Sequence, residues 1–253
     1  FKNNIDTEID FFEGSTLSNK NLSEVMSSSS FDVAVYLAAY KAAGESMSDP
    51  VIYASNYIIG VLKFLKSCVE YSVKKVIFSS SAAVYGHPLY TPIDELHSLN
   101  PINFYGYTKK VIEENLKWYS NLKNIRYASL RYFNAAGYDS DKKSLNKENN
   151  PQNLIPLVME VAEGSRELLQ VYGNDYSTLD GTGVRDYIHV TDLAQGHLAS
   201  IDYLFQNDNN LTINLGTGRG HSVFEIIKMT EAISNRKINF KVSKRRAGDP
   251  DVV

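Results

Sequence analysis

Tyr105 and Lys109, in the run Tyr-Gly-Tyr-Thr-Lys, follow a strand-like Val76-Ile77-Phe78 that ends in Ser79-Ser80-Ser81. A serine hydroxyl, a phenol and an ammonium gathered beside a hydride acceptor can take the proton from a carbinol as its hydride leaves. The spacing places Tyr105 and Lys109 one helical turn apart on one face, so the ammonium biases the phenol's ionisation. A positive charge about 6 Å away, at an effective dielectric of about 20, contributes on the order of 3 kcal/mol, or roughly two pH units. A phenol that titrates near ~10 is still mostly protonated at neutrality after that shift.

A second positive charge, such as an oxidised nicotinamide, would complete the activation and couple the base to the cofactor's redox state. The Tyr-x-x-x-Lys pattern alone is weak, since Tyr71 and Lys75 match it too. That second match falls where a helical pattern gives way to a strand, and it reads as structural. The first gains weight from Ser81 upstream, from Gly106, and from the amphipathic run Val111-Ile112-x-x-x-Leu116.

Positioning these groups requires a scaffold, and the chain alternates short β-rich runs with longer helical patterns. Strands are predicted at Ile9 to Glu13, Asp32 to Ala38, Lys75 to Ser80, Arg126 to Phe133, Leu168 to Tyr172, Thr212 to Leu215 and Ile238 to Val242. Helices are predicted at Ser18 to Met26, Pro50 to Tyr71, Tyr107 to Leu122, Asn153 to Glu163, Thr191 to Phe205 and Ser222 to Ser234. This is the rhythm of a parallel sheet covered on both faces, an α/β fold. The helix from Pro50 is apolar nearly all round, so its outer side calls for a cover such as a partner subunit. Lys142 to Asn150 reads as a polar loop between lobes.

Composition excludes several classes. The 253 residues carry a net charge of −3, which gives no electrostatic footprint for nucleic acid. Lys244-Arg245-Arg246 is too short a basic run to change that. A single cysteine, Cys68, cannot form an internal disulfide and suits a reducing, cytoplasmic setting. No apolar run is long enough to span a bilayer. The acceptor triplets at Asn21 and Asn210 are of a kind that arises often by chance. His87, His97, His189, His197 and His221 lack metal-ligand spacing, and no metal site is expected.

Four strings together resemble a known family: Ala-Ala-Tyr-Lys-Ala-Ala-Gly-Glu-Ser ending at Ser46, Ser-Ser-Ser-Ala-Ala-Val-Tyr-Gly from Ser79, Leu-Arg-Tyr-Phe-Asn from Leu130, and Asp-Gly-Thr-Gly-Val-Arg-Asp-Tyr-Ile-His-Val from Asp180. They resemble the UDP-glucose 4-epimerases of the extended short-chain dehydrogenase/reductase superfamily, and the likeness runs through almost the whole chain. It implies a Rossmann-like, doubly wound parallel sheet lacking its first βα unit, with a smaller C-terminal substrate-binding lobe. Residues 1–135 would form the partial NAD-binding domain. Residues 136–253 would form mainly the UDP-sugar lobe, with segments returning to the first domain.

The resemblance further implies a homodimer through helices 50–71 and 107–122, tightly held NAD, and interconversion of UDP-glucose and UDP-galactose through a 4-keto sugar. Tyr105 would take the C4 hydroxyl proton, Ser81 would bond that oxygen, and Lys109 would hold the nicotinamide ribose. Other cofactor contacts would be Ser15, Thr16, Leu37, Ala38, Lys41, Asn56, Tyr132 and Phe133. The nucleotide and sugar would meet Asn134, Asn153, Leu154, Tyr172, Arg185, Arg246 and Asp249. Paired guanidinium groups suit a diphosphate.

Plainer readings compete at several positions. Arg185 beside Asp186 reads as a surface ion pair, Arg245-Arg246 as a solvated turn, and Asp192 as a helix-start residue. Tyr85 and Tyr107 read as packing or pocket wall. Related 4,6-dehydratases carry an acid and a carboxylate directly after the serine. Here Ala82 and Ala83 stand there, and methyl groups transfer no protons. The likeness also implies a chain truncated at both ends. It begins beyond the Gly-rich pyrophosphate turn, has Ser15 where aspartate is usual, and stops before a residue that sets tolerance for N-acetylated sugars. A related UDP-pentose or UDP-uronate 4-epimerase, or a UDP-sugar-binding protein without catalysis, are the alternatives.

Overall fold

The computed structural model describes residues 9–38, 40, 43–139 and 151–253. Its first half runs α1 (Asn19–Ser28), β1 (Val33–Tyr36), α2 (Ala43–Ser48), α3 (Pro50–Tyr53), a π-helical turn (Ala54–Ile59), α4 (Gly60–Glu70), β2 (Lys75–Ser81), a 3-10 turn (Ala82–Val84), α5 (Phe104–Lys123), β3 (Arg126–Tyr132) and β4 (Asn134–Ala136). The second half runs α6 (Leu154–Glu163), β5 (Leu169–Tyr172), β6 (Val184–His189), α7 (Val190–Gln206), β7 (Leu211–Leu215), β8 (Gly220–Ser222), α8 (Val223–Ser234) and β9 (Phe240–Ser243).

Four parallel strands in the order β1-β2-β3-β7 form the main sheet. The cores of β2 and β3 are buried on both faces, which is why Val76-Ile77-Phe78 of β2 reads as a continuous apolar run, while β3 buries Ser129 and Arg131 among its apolar residues. One face packs Val76, Phe78 and Tyr127 against Tyr53, Tyr57, Leu65, Ile112 and Leu116. The other packs Ile77, Ala128 and Leu130 against Ile201 and Leu204 of α7. The chain is therefore α/β with a doubly wound parallel sheet. A second core joins α6 and α8 over β5, with Val158, Val161, Leu169, Val171, Ile226 and Ile227. Two small sheets, β4-β6-β8 and β5-β9, lie beyond the main one.

Local signals fix α5, the helix that matters most. The Asn103 side chain accepts from the Gly106 N–H at 2.8 Å, and Asn124 closes the helix in the left-handed region at φ 55°. Tyr71 ends α4 and Lys75 opens β2, so the second Tyr-x-x-x-Lys has no helix to share, as its position suggests.

The structure departs from the sequence reading in places. Ile9 to Glu13 is not a strand: it has no ladder partner among the described residues, and Ile9, Phe11 and Phe12 stay exposed. The short α2, β4, β6 and β8 were not predicted. In β6 the charged Arg185 and Asp186 hide the strand pattern, because Asp186 turns inward to accept from the Thr217 and Gly218 amides. The proposed loop Lys142 to Asn150 lies outside the described residues.

Candidate active site

The end of β2 and the first turns of α5 bring Ser81, Tyr105 and Lys109 together. The Ser81 hydroxyl accepts from Ala83 N–H at 3.2 Å and is also hydrogen-bonded to the Tyr105 side chain. Gly106 permits this contact: a Cβ there would lie 2.3 Å from the Ala83 carbonyl oxygen, so only glycine lets α5 sit so close to the 3-10 turn. The Tyr105 N–H donates to Ser46 Oγ at 3.0 Å, which ties α5 to α2. Lys109 Nζ donates to the Ser79 carbonyl at 2.6 Å and lies 5.6 Å from the Tyr105 ring centroid. Phenol and ammonium thus share one side of their helix, above the Ser79–Ser81 backbone.

Burial changes their electrostatics from what spacing alone predicts. Desolvation pushes the Tyr105 phenol up, with the Ser81 hydrogen bond opposing it. The same desolvation presses Lys109 down to about 7, while Glu113 holds it up. The two-unit lowering of the phenol expected from Lys109 alone is therefore not present: removing both groups from water outweighs their attraction. Glu113 is one turn beyond Lys109 and is itself clamped. It accepts from Ser80 Oγ at 2.6 Å, Arg131 Nε at 3.0 Å and Arg131 Nη2 at 2.7 Å. Arg131 in turn donates to Tyr85 OH at 2.8 Å, and that hydroxyl donates to Asn214 Oδ1 at 2.6 Å. Tyr85 is thus a buried network member, while Tyr107 is half exposed.

The surrounding cofactor candidates divide. Tyr132, opposite Ser81 in the β2–β3 ladder, is raised to about 12 by burial, with Ser79 opposing. Its hydroxyl donates to His197 Nε2 at 2.5 Å, because His197 Nδ1 is committed to the Leu193 carbonyl at 2.8 Å. Phe133 follows at the sheet's carboxyl edge, and Leu37 and Ala38 stand exposed just beyond β1. Asn56, in the π-helical turn, donates to the Ile52 carbonyl at 2.8 Å. Ser15 and Thr16 are not gathered with these groups. They line a separate cleft of about 340 Å³ with Phe11, Phe12 and Asn21, and Thr16 packs against Tyr36 and Gly60. Lys41 lies outside the described residues.

A second cluster forms around Asp249. Its carboxylate accepts from Arg246 Nε at 2.9 Å and sits 4.0 Å from Arg185 Nη2. Arg185 also donates to the carbonyls of Val184 at 2.8 Å and Pro250 at 2.9 Å, so it pairs with the C-terminal segment and not with Asp186. The Arg246 guanidinium lies 4.8 Å from the Tyr172 ring centroid. Arg245 instead pairs with Asp175 at 2.8 Å. Asn134 opens β4 and pairs in register with Tyr187, two residues from Arg185, which links this cluster to the end of β3. Asn153 caps α6 without a side-chain cap bond, and Leu154 packs on the second core. A cavity of about 480 Å³ reaches Phe133, Asp186, Asn214 and Val253.

Sequence reasoning missed Glu113, Arg131, His197 and Tyr57. Glu113 is legible as the next turn after Lys109, and Arg131 lies inside Leu-Arg-Tyr-Phe-Asn; Tyr57 and His197 carry no sequence signal, because long-range packing places them. Among the described residues no cluster of metal-ligating side chains occurs, and no helix is long and apolar enough to cross a membrane.

Residues 1–216 match the NAD dependent epimerase/dehydratase family. The UDP-glucose 4-epimerase of Halalkalibacterium halodurans is 38% identical over 245 residues, covering 96% of this chain and 73% of that one. A crystal structure of UDP-glucose 4-epimerase from Brucella ovis in complex with NAD superposes with TM-score 0.90 at 42% identity, covering 96% of this chain and 75% of that one. The enzyme from Bifidobacterium longum in complex with NAD+ and UDP gives TM-score 0.90 at 39% identity, covering 95% and 72%. With a parallel sheet, a serine–tyrosine–lysine cluster at its carboxyl edge and relatives of this extent, the chain belongs to the NAD-dependent epimerase/dehydratase family.

Proposed function

We propose that the chain is an NAD-dependent UDP-glucose 4-epimerase, interconverting UDP-galactose and UDP-glucose in galactose metabolism. The observation that carries this is the convergence of Ser81, Tyr105 and Lys109 at the carboxyl edge of a parallel sheet, where open α/β folds bind their ligands. The residues present fit the nicotinamide half of NAD. Among the described residues the Lys109 ammonium donates to one carbonyl, leaving two of its three donors for ribose hydroxyls. Leu37, Ala38, Asn56, Tyr132 and Phe133 supply the neighbouring wall. When bound, NAD supplies the acceptor for the C4 hydride and the positive charge that the phenol lacks.

The chain's own groups then have distinct tasks. Ser81 hydrogen-bonds the C4 oxygen and fixes it against Tyr105. Tyr105 takes the C4 hydroxyl proton and returns it to the same oxygen after the 4-keto sugar has turned over. Lys109 holds ribose and lowers the cost of the phenolate once both are charged. Arg246, Arg185 and Asp249 form the diphosphate and ribose end, the guanidinium groups suiting the phosphates and the carboxylate the ribose hydroxyls, with Tyr172 beside them, while Asn134, Asn153 and Leu154 border the nucleotide. Ala82 and Ala83 offer no acid or base, so dehydration has no proton donor there.

Tyr107, Trp118 and Leu122 fall on one stripe of α5; Trp118 is 64% and Leu122 67% exposed, and Val51 and Ile59 are exposed on the adjoining helix. These two surfaces support a homodimer through helices 50–71 and 107–122. A lone buried cysteine is in keeping with a cytoplasmic setting. The test is incubation of the protein with NAD and UDP-galactose, followed by product analysis. UDP-glucose is expected; UDP binding in calorimetry without any conversion would refute the assignment.

A further inference from the structure

Lys109 is enclosed by three aromatic rings, two of which, Tyr57 and Phe78, take no part in the proton transfer. Its Nζ lies 5.0 Å from the ring centroid of Tyr57, 4.9 Å from that of Phe78 and 5.6 Å from that of Tyr105. Tyr57 comes from the π-helical turn, a geometry often found at functional sites. It is fully buried, stacks on Tyr53 at 5.6 Å and meets Tyr105 edge to face at 5.8 Å and 78°. Its hydroxyl has no hydrogen-bond partner among the described residues. A buried, unsatisfied hydroxyl is costly, so nothing about the hydroxyl explains a tyrosine here. The ring does have a task, since aromatic faces attract a desolvated cation.

We propose that Tyr57 is a positioning residue: with Phe78 and Tyr105 it forms an aromatic cage that holds Lys109 as the ammonium while leaving its ribose-facing donors free. This rests on the reading of Lys109 given under Proposed function. The need for such a cage follows from burial, which draws Lys109 down to about 7 and so weakens its hold on the proton near neutrality. Among the described residues the groups facing this ammonium are few. Glu113 on α5 supports its charge and is shared with Arg131 of β3. Ser79 of β2 offers a carbonyl, and Tyr132 of β3 interacts with Tyr105. From the α2 and α3 side, Glu45 and Tyr53 act on Tyr57. The cage thus adds attraction without adding another anion, and a further carboxylate would raise the phenol it is meant to ionise.

The test compares Tyr57→Phe, Tyr57→Leu and Phe78→Leu in the NAD-loaded protein. The first readout is the carbon NMR titration of the Lys109 side chain, assigned by its loss in Lys109→Met. The second is the alkaline limb of the pH–rate profile for UDP-galactose. Tyr57→Phe is expected to leave the Lys109 midpoint in place, because the ring face remains. Tyr57→Leu and Phe78→Leu are expected to lower it by about half a unit to one unit, with the alkaline limb moving equally. Phe78→Leu also covers the case in which Tyr57→Leu does not fold. An unshifted midpoint in the folded leucine variants, or a shift in Tyr57→Phe equal to theirs, overturns the cage. Because the NMR midpoint needs no turnover, the cage can fail while the epimerase reading stands, and the reverse.

Discussion

Removing the Glu113 carboxylate tests both the stability and the chemistry of the site at once. Glu113 and Arg131 have side chains only 3% and 5% exposed and meet at 2.7 Å in a double contact. Deleting one partner leaves the other charge without compensation in the interior, which costs about 3–5 kcal/mol. Glu113→Gln should therefore destabilise by that order in denaturant titration. Glu113→Leu combined with Arg131→Met should cost much less than the sum of the single changes, giving a coupling of about 2 kcal/mol or more. A chemical consequence accompanies this. Glu113 is the group that holds Lys109 up against desolvation, so its loss lowers the Lys109 pKa further and brings the alkaline fall in turnover to lower pH. Additive single and double variants, or an unmoved alkaline limb in folded Glu113→Gln, would refute the reasoning.

Three further outcomes follow from other contacts. Gly106→Ala should drive α5 away from the Ala83 carbonyl, 2.3 Å from the added Cβ, at a cost of about 1–3 kcal/mol. Turnover should fall further than the melting temperature suggests, because Tyr105 moves with the helix. Arg246→Ala should weaken UDP about tenfold or more in calorimetry, since Nε is committed to Asp249 but the Nη fork is directed to no partner among the described residues; unchanged affinity would count against the diphosphate assignment. Lys109→Met should alter the pH dependence of stability. With Lys109 near 7 when folded against 10.5 ordinarily, the unfolded chain binds more protons between those values, so wild-type stability gains from rising pH across that window. The penalty is fully present below about 7, where Lys109→Met should be the more stable by a few kcal/mol, and it vanishes toward 10.5.

The parallel sheet was legible because β2, β3 and β7 are dense in apolar residues and flanked by helices of ordinary amphipathic period. The Tyr105–Lys109 pair was legible because helical geometry is local. What the sequence could not show is how burial reverses the simple charge argument: spacing gives a distance, but desolvation depends on groups such as Phe78 of β2 and Tyr57 of the π-helical turn, which arrive from other elements. Ile9 to Glu13 shows the opposite limit, since an apolar, β-prone stretch becomes a strand only where a neighbour offers hydrogen bonds. Arg185 likewise has charged Asp186 beside it in sequence, yet strand alternation sends the two side chains apart and the ion pair forms with Asp249.

The central claim is that the Tyr105 phenol carries the C4 proton, and Tyr105→Phe in the NAD-loaded protein tests it most directly. Turnover of UDP-galactose should fall about a hundredfold or more, with UDP affinity kept within about twofold. Epimerisation at the wild-type rate in a folded Tyr105→Phe protein would contradict it.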